Sequence, residues 1–198
     1  MNSPSDGNSA ADLKPRATSS ATRHGDTVRG PVLRRPLARV GLLTALLTGL
    51  LDQITKLWLL FVFDLEGRGL VPLMPGLDLV LTWNTGISYG LFQQESTLGR
   101  YLLLGFKLLA VGLLLVWLAR ARSRLTAVAL GLIIGGALGN AVDAVAYGAV
   151  ADFVFFHIAF PSWEFRWYVF NLADAAIVAG VVGLLYETVF VDRAAKAP

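Results

Sequence analysis

Cysteine is absent from this 198-residue chain, which removes disulfides and thiolate metal ligands and leaves the redox compartment unreadable from cysteine usage. Histidine is scarce as well. His24 and His157 stand far apart in sequence, so no histidine-based metal centre and no cofactor are expected. Charge is the third scarcity: 16% of residues are charged against 55% hydrophobic, and the mean hydropathy is +0.60. That balance excludes an ordinary soluble domain, whose surface needs far more charge, and marks a membrane protein surrounded by lipids. The net charge of +3 does not point to nucleic acid here, because its distribution along the chain carries more information than its total.

The abundant feature is long apolar sequence. Four runs, approximately 40–63, 99–119, 125–147 and 171–190, are each long enough to cross a bilayer core of about 30 Å as a helix. Residues 1–38 are rich in Ser, Ala, Asp, Pro and Arg without apolar periodicity and read as a disordered basic tail. Residues 39–192 then form one four-span domain, and 193–198 a short C-terminal tail. The first run extends well beyond a signal-peptide core, so it reads as an uncleaved anchor. Between the first two runs, "VPLMPGLDLVLTWNTGISYG" carries Pro, Gly and alternating Leu77, Leu79 and Leu81, the pattern of a small strand-bearing loop region. Between the last two, "ADFVFFHIAFPSWEFRWYV" is crowded with aromatics and fits an interfacial belt. The expected fold class is therefore an all-α membrane protein of four transmembrane helices with a strand-bearing loop region.

Basic residues set the orientation. Lys14, Arg16, Arg23, Arg29, Arg34, Arg35 and Arg39 precede the first run, Arg120, Arg122 and Arg124 separate the second and third, and Arg193 and Lys196 follow the fourth. Only Arg68, Arg100 and Arg166 fall on the other side. The positive-inside rule gives both termini to the cytoplasm and makes the two longer loops extracytoplasmic.

Against this apolar background a few polar residues stand out, because an intramembrane charge costs roughly 2.5 to 3.5 kcal/mol even on lenient insertion scales and so faces a partner or a wet cavity. Asp52 and Lys56 are four apart in "LDQITKLW" and share a helix face, which suits an ion pair that also lets Lys56 snorkel outward. Lys107 has no local partner, and no function is assigned to it. Asn140 and Asp143 share a face of the third run, where Gly135, Gly136 and Gly139 suit close helix packing. Asn171 and Asp174 repeat that spacing at the start of the fourth run. Either pattern is also compatible with an ion pathway.

Asp152 and Asp174 lie near the outer ends of the third and fourth runs. If those runs form an antiparallel hairpin, the two carboxylates meet and share a proton, one activating water while the other protonates a carbonyl. That is aspartic-protease chemistry, which requires neither metal nor cysteine nor histidine.

Taken in order, "DQITK", "NTGISYG", "GGALGNAVDAVAYGAVADF" and "FNLADAAI" resemble the motifs of the lipoprotein signal peptidases (signal peptidase II), over roughly residues 40–190. The resemblance implies a peptidase of the bacterial inner membrane with its active site near the extracytoplasmic face. Its substrates would be diacylglyceryl-modified prolipoproteins, cleaved just before the lipidated cysteine. It also implies Asp152 and Asp174 as the catalytic pair, with Asp52, Lys56, Asn84, Gly86, Asn140, Asp143 and Asn171 as substrate-binding or supporting positions. Asp143 would orient rather than catalyse, and Asn84, Asn140 and Asn171 would hold the substrate backbone. The family pattern has arginine immediately after the aspartate of the "GNxxD" segment, where this chain has Ala144; Arg166 and Lys56 are the candidates to supply the missing charge. An inactive relative that binds lipidated peptides and a small transporter are the alternative readings. Oligomeric state is not legible.

Overall fold

The computed structural model describes residues 36–85 and 97–191. Its long helices are α1 (Pro36–Leu57, continued by a wider turn over Trp58–Val62), α3 (Thr97–Leu118), α4 (Arg124–Ala146) and α5 (Leu172–Tyr186). Four helices are long and apolar enough to cross a membrane, over Pro36–Val62, Tyr101–Leu118, Arg124–Ala146 and Leu172–Phe190. The sequence places all four within a few residues. A one-turn helix, α2 (Leu65–Arg68), and a four-stranded antiparallel sheet in the order β1-β2-β3-β4 complete the fold, with β1 at Val71–Met74, β2 at Leu77–Asn84, β3 at Val150–Ala159 and β4 at Glu164–Arg166.

Helix α4 is central, packed between α1 and α5, with α3 against it. Its glycines explain how. A Cβ on Gly131 would lie 2.5 Å from the Gly41 carbonyl oxygen of α1, and one on Gly136 would lie 2.5 Å from the Ala173 carbonyl oxygen of α5. In lipid, where apolar burial drives helices together only weakly, such small-residue seams let backbones approach and van der Waals contact take over. The packing role expected for Gly135, Gly136 and Gly139 holds: a side chain at Gly135 would run into the Ala45 carbonyl, and one at Gly139 would lie 2.6 Å from Asp52 Oδ2. Outward-facing positions are large and apolar, including Leu50, Phe61, Phe106, Leu109, Val145, Val182 and Leu185.

The sheet is larger than the sequence suggests. The alternating Leu77, Leu79 and Leu81 do form a strand, reached from β1 through Pro75 and Gly76, whose φ of 83° suits a tight turn. The aromatic segment expected only as a belt forms β3 and β4, with β3 paired antiparallel to β2 so that Thr82 stands opposite Asp152 and Asn84 opposite Val150. This pairing joins residues distant in sequence, and local composition does not announce it. The aromatic character still finds its place: Phe160, Trp163 and Trp167 are exposed, and Phe160 stacks on Trp163 with ring centroids 4.2 Å apart.

Candidate active site

Two short connections bring the carboxylates together. Gly148, at φ 76°, follows the end of α4 and turns the chain so that β3 begins at Val150. Glycine adopts that left-handed conformation without steric cost. Asp152 is thereby held close to the helix end that carries Asp143. At its other flank β3 is tied to the start of α5: the Val154 N–H donates to the Phe170 carbonyl at 2.8 Å, and the Phe170 N–H donates back to the Val154 carbonyl at 3.0 Å. Asn171 then caps α5 in a reciprocal box with Asp174, its side-chain oxygen accepting from the Asp174 N–H at 2.9 Å while Asp174 Oδ2 accepts from the Asn171 N–H at 3.2 Å. A carboxylate in the first turn is favoured by the helix dipole as well as by that bond.

The two carboxylates share one amide pair. Asn171 Nδ2 donates to Asp152 Oδ1 at 2.7 Å and to Asn140 Oδ1 at 3.0 Å. Asn140 Nδ2 in turn donates to Asp174 Oδ1 at 2.9 Å. From β2, Asn84 Nδ2 donates to Asp152 Oδ2 at 3.2 Å. The three asparagines expected to hold the substrate backbone therefore hold the two carboxylates in this structure.

Beneath this layer lies a buried charged plate. The Lys56 ammonium contacts Asp52 Oδ2 at 2.8 Å, Asp143 Oδ2 at 2.8 Å and Asn140 Oδ1 at 3.0 Å, using all three of its protons. It is 2% exposed, so the expected outward snorkelling does not occur; the two carboxylates draw the ammonium inward instead. Each of these aspartates also grips the backbone beside one member of the upper pair. Asp143 Oδ2 accepts from the Ala151 N–H at 3.1 Å, next to Asp152. Asp52 Oδ1 accepts from the Ala173 N–H at 2.9 Å, next to Asp174. One lysine thus ties together the two supports, and the orienting role expected of Asp143 has a mirror image in Asp52.

The sequence reading overlooked two participants. Gln53 donates to Asp143 Oδ1 at 2.9 Å and to the Gly139 carbonyl at 3.0 Å, clamping α1 to α4; its position between Asp52 and Lys56 was the available signal. Lys107 of α3, which the sequence left without a role, lines a pocket with Asn84, Ala144 and Val150. Neither cation proposed to compensate for Ala144 is placed to do so. Arg166 pairs with Glu164 at 2.9 Å on the surface, and Lys56 is committed to the plate. Gly86 lies outside the described residues.

The Asp152 carboxyl is 3% exposed. Burial first, and then the negative charge of Asp174, push its pKa up to about 7, against the hydrogen bonds from Asn84 and Asn171 that favour the charged form. Near neutrality the site therefore offers a protonated carboxyl on a strand beside a second carboxyl at a helix N-terminus, the requirement for a paired acid and base.

Residues 44–190 match the family model for signal peptidase (SPase) II. The lipoprotein signal peptidase of Nitrobacter hamburgensis is 56% identical over 160 residues, covering 81% of this chain and 98% of the relative. That of Methylorubrum extorquens is 59% identical over 150 residues, covering 76% of this chain and 85% of the relative. The fold is similar to that of a bacterial membrane enzyme solved by the in meso method at 1.9 Å resolution, with a TM-score of 0.64 at 21% identity over 77% of this chain and 94% of that one.

Proposed function

The chain belongs to the signal peptidase II family, and from that premise we propose that it is an aspartic endopeptidase that removes signal peptides from diacylglyceryl-modified prolipoproteins. Cleavage falls just before the lipidated cysteine. The protein is a multi-pass membrane protease; in our reading it sits in the bacterial inner membrane with both termini cytoplasmic and the sheet end of the bundle extracytoplasmic. Residues 39–192 form the peptidase domain between the two tails. A substrate carrying two acyl chains stays in the bilayer, so its scissile bond lies near the interface, where Asp152 and Asp174 meet the sheet.

The observation that carries this reading is the convergence of Asp152 and Asp174 on the Asn140–Asn171 amide pair. In the reaction, the ionised carboxylate of Asp174 takes a proton from water, and the water oxygen attacks the scissile carbonyl carbon. Asp152 gives its proton to the carbonyl oxygen, forming a neutral tetrahedral diol. As the diol collapses, one of its hydroxyls returns a proton to Asp152, the carbon–nitrogen bond breaks, and the leaving amine takes up the proton held by Asp174. The Asn84, Asn140 and Asn171 amides keep both carboxyls oriented, so little rearrangement is needed as charge moves.

The test is cleavage of a diacylglyceryl-modified prolipoprotein by the purified chain in detergent. Wild type cleaves, and Asp152→Asn and Asp174→Asn each lose about a thousandfold or more, as removal of an acid or base from a concerted pair does. A folded wild type that leaves the substrate intact, with cleavage appearing in Ala144→Arg, would instead identify a relative disabled at position 144.

A further inference from the structure

The pocket beside Asp152 has a volume of about 130 Å³ and is lined by Asn84, Thr85, Tyr101, Lys107, Ala144 and Val150 among others. Asn84 bonds Asp152 Oδ2, so the pocket reaches the carboxylate pair through Asn84, and none of Asp52, Lys56 and Asp143 lines it. Lys107 is half-buried on α3, a helix whose neighbouring positions Tyr101, Leu102, Phe106 and Leu109 point outward as exposed apolar side chains. An ammonium on such a helix is costly unless it meets negative charge or water. Lys107 makes no ion pair among the described residues; the negative charges that act on it are those of Asp174 and Asp152.

The other charged groups around the pair are already engaged. From α1, Asp52 and Lys56 bond each other; from α4, Asp143 bonds Lys56 and the Ala151 N–H. The sheet adds no free cation near Asp152 among the described residues. His157 and Asp78 pair at 3.0 Å, and Arg166 pairs with Glu164. Ala144, on α4, borders the same pocket as Lys107 with a side chain of one carbon, which leaves that side without a long polar group.

We propose that Lys107 is a positioning residue, supplying from α3 the positive charge that faces the open side of the Asp152–Asp174 pair and keeps one of its members ionised. In doing so it takes the place that a cationic side chain at position 144 would fill. This rests on the peptidase reading above. A nearby ammonium favours the charged form of both carboxyls, so it sets the pH window in which one is protonated and the other is not.

Lys107→Met moves both limbs of the kcat/KM profile to higher pH, and activity on the acid limb falls severalfold. Lys107→Arg keeps the wild-type limbs. Ala144→Arg added to Lys107→Met returns the limbs toward their wild-type positions, a rescue that general damage to packing would not allow. A Lys107→Met profile with unmoved limbs, whatever its height, overturns the assignment. A second readout is independent of turnover: the carbonyl stretch of the protonated carboxyl in infrared difference spectra, identified by its loss in Asp152→Asn, titrates with a higher midpoint in Lys107→Met. A folded wild type that is silent on prolipoprotein defeats the peptidase reading, whereas an unmoved infrared midpoint defeats the role of Lys107. The two failures are therefore distinguishable.

Discussion

The two sides of the Asp152–Asp174 pair are built in opposite ways. On the inner side, Lys56, Asp52, Asp143 and Asn171 are 2% exposed or less; the first three bond to one another or to the backbone next to the paired aspartates, and Asn171 bonds Asp152 and Asn140. On the outer side, a half-buried Asn84 and Lys107 border an open pocket. A closed polar network in a low-dielectric interior fixes geometry and tolerates no missing member. An open pocket gives room for water and a peptide. The difference separates residues whose loss damages the protein from residues whose loss tunes the reaction.

The dyad substitutions described above have the largest expected effect, on turnover. Next comes Lys56→Met, which breaks the comparison on its inner side. It leaves Asp52 and Asp143 buried without their counter-charge, a loss of about 3 to 5 kcal/mol when a buried ion pair is broken from one partner. We expect a much lower thermal unfolding midpoint in detergent and poor recovery of folded protein. Lys107→Met, on the outer side, should leave that midpoint close to wild type. Equal destabilisation by the two would mean that the sides are not distinct.

What the sequence made legible follows the same division. The four spans were readable because apolar runs of membrane length are a local signal. Asp52, Lys56, Asn140, Asp143, Asn171 and Asp174 were readable because a polar side chain in such a run is anomalous and because helical spacing puts the pairs on common faces. The structure joins all of them, with Asn84 and Asp152, into one network. The strands β3 and β4 were missed because their partners lie far away in sequence, and the aromatic composition suited an interface equally well. The inward turn of Lys56 was missed for a related reason. Snorkelling is the default for a lone lysine, and only the approach of Asp143 from another helix reverses it. Lys107 and Ala144 become related only when α3 and α4 are set side by side around the pocket.

The raised pKa of Asp152 sharpens the comparison through stability. Because folding lifts this group from its ordinary 3.8 to about 7, its favourable contribution is fully present below about 3.8 and is lost as pH rises through about 7. Between those limits the unfolded chain releases the proton and the folded chain keeps it. We expect the unfolding midpoint of wild type to fall between about pH 5 and about pH 8 by more than that of Asp152→Asn, the difference amounting to a few kcal/mol. Equal slopes for the two proteins would mean that Asp152 ionises as it would in water. The amide that replaces it carries no charge to desolvate, so the variant trades activity for stability at high pH.

Asn84→Ala is the smallest change and probes the boundary between the two sides. Asn84 belongs to the sheet, borders the pocket, and donates to Asp152 Oδ2 at 3.2 Å, a hydrogen bond that favours the ionised form. Removing it makes Asp152 hold its proton to higher pH, so the alkaline limb of kcat/KM moves upward while the acid limb changes less. Lys107→Met differs in moving both limbs, since a charge acts on both carboxyls whereas this hydrogen bond reaches only one. The cost at the pH optimum should be modest, about three- to tenfold, in keeping with a net worth of about 1 kcal/mol for a hydrogen bond that water can replace at the pocket. Water can do so because the outer side is open; the same truncation at Asn171, 0% exposed and bonded to both Asp152 and Asp174, has no such substitute. If Asn84→Ala proved as damaging as Asn171→Ala, Asn84 would have to be reassigned to the inner network, and the pocket would begin beyond it.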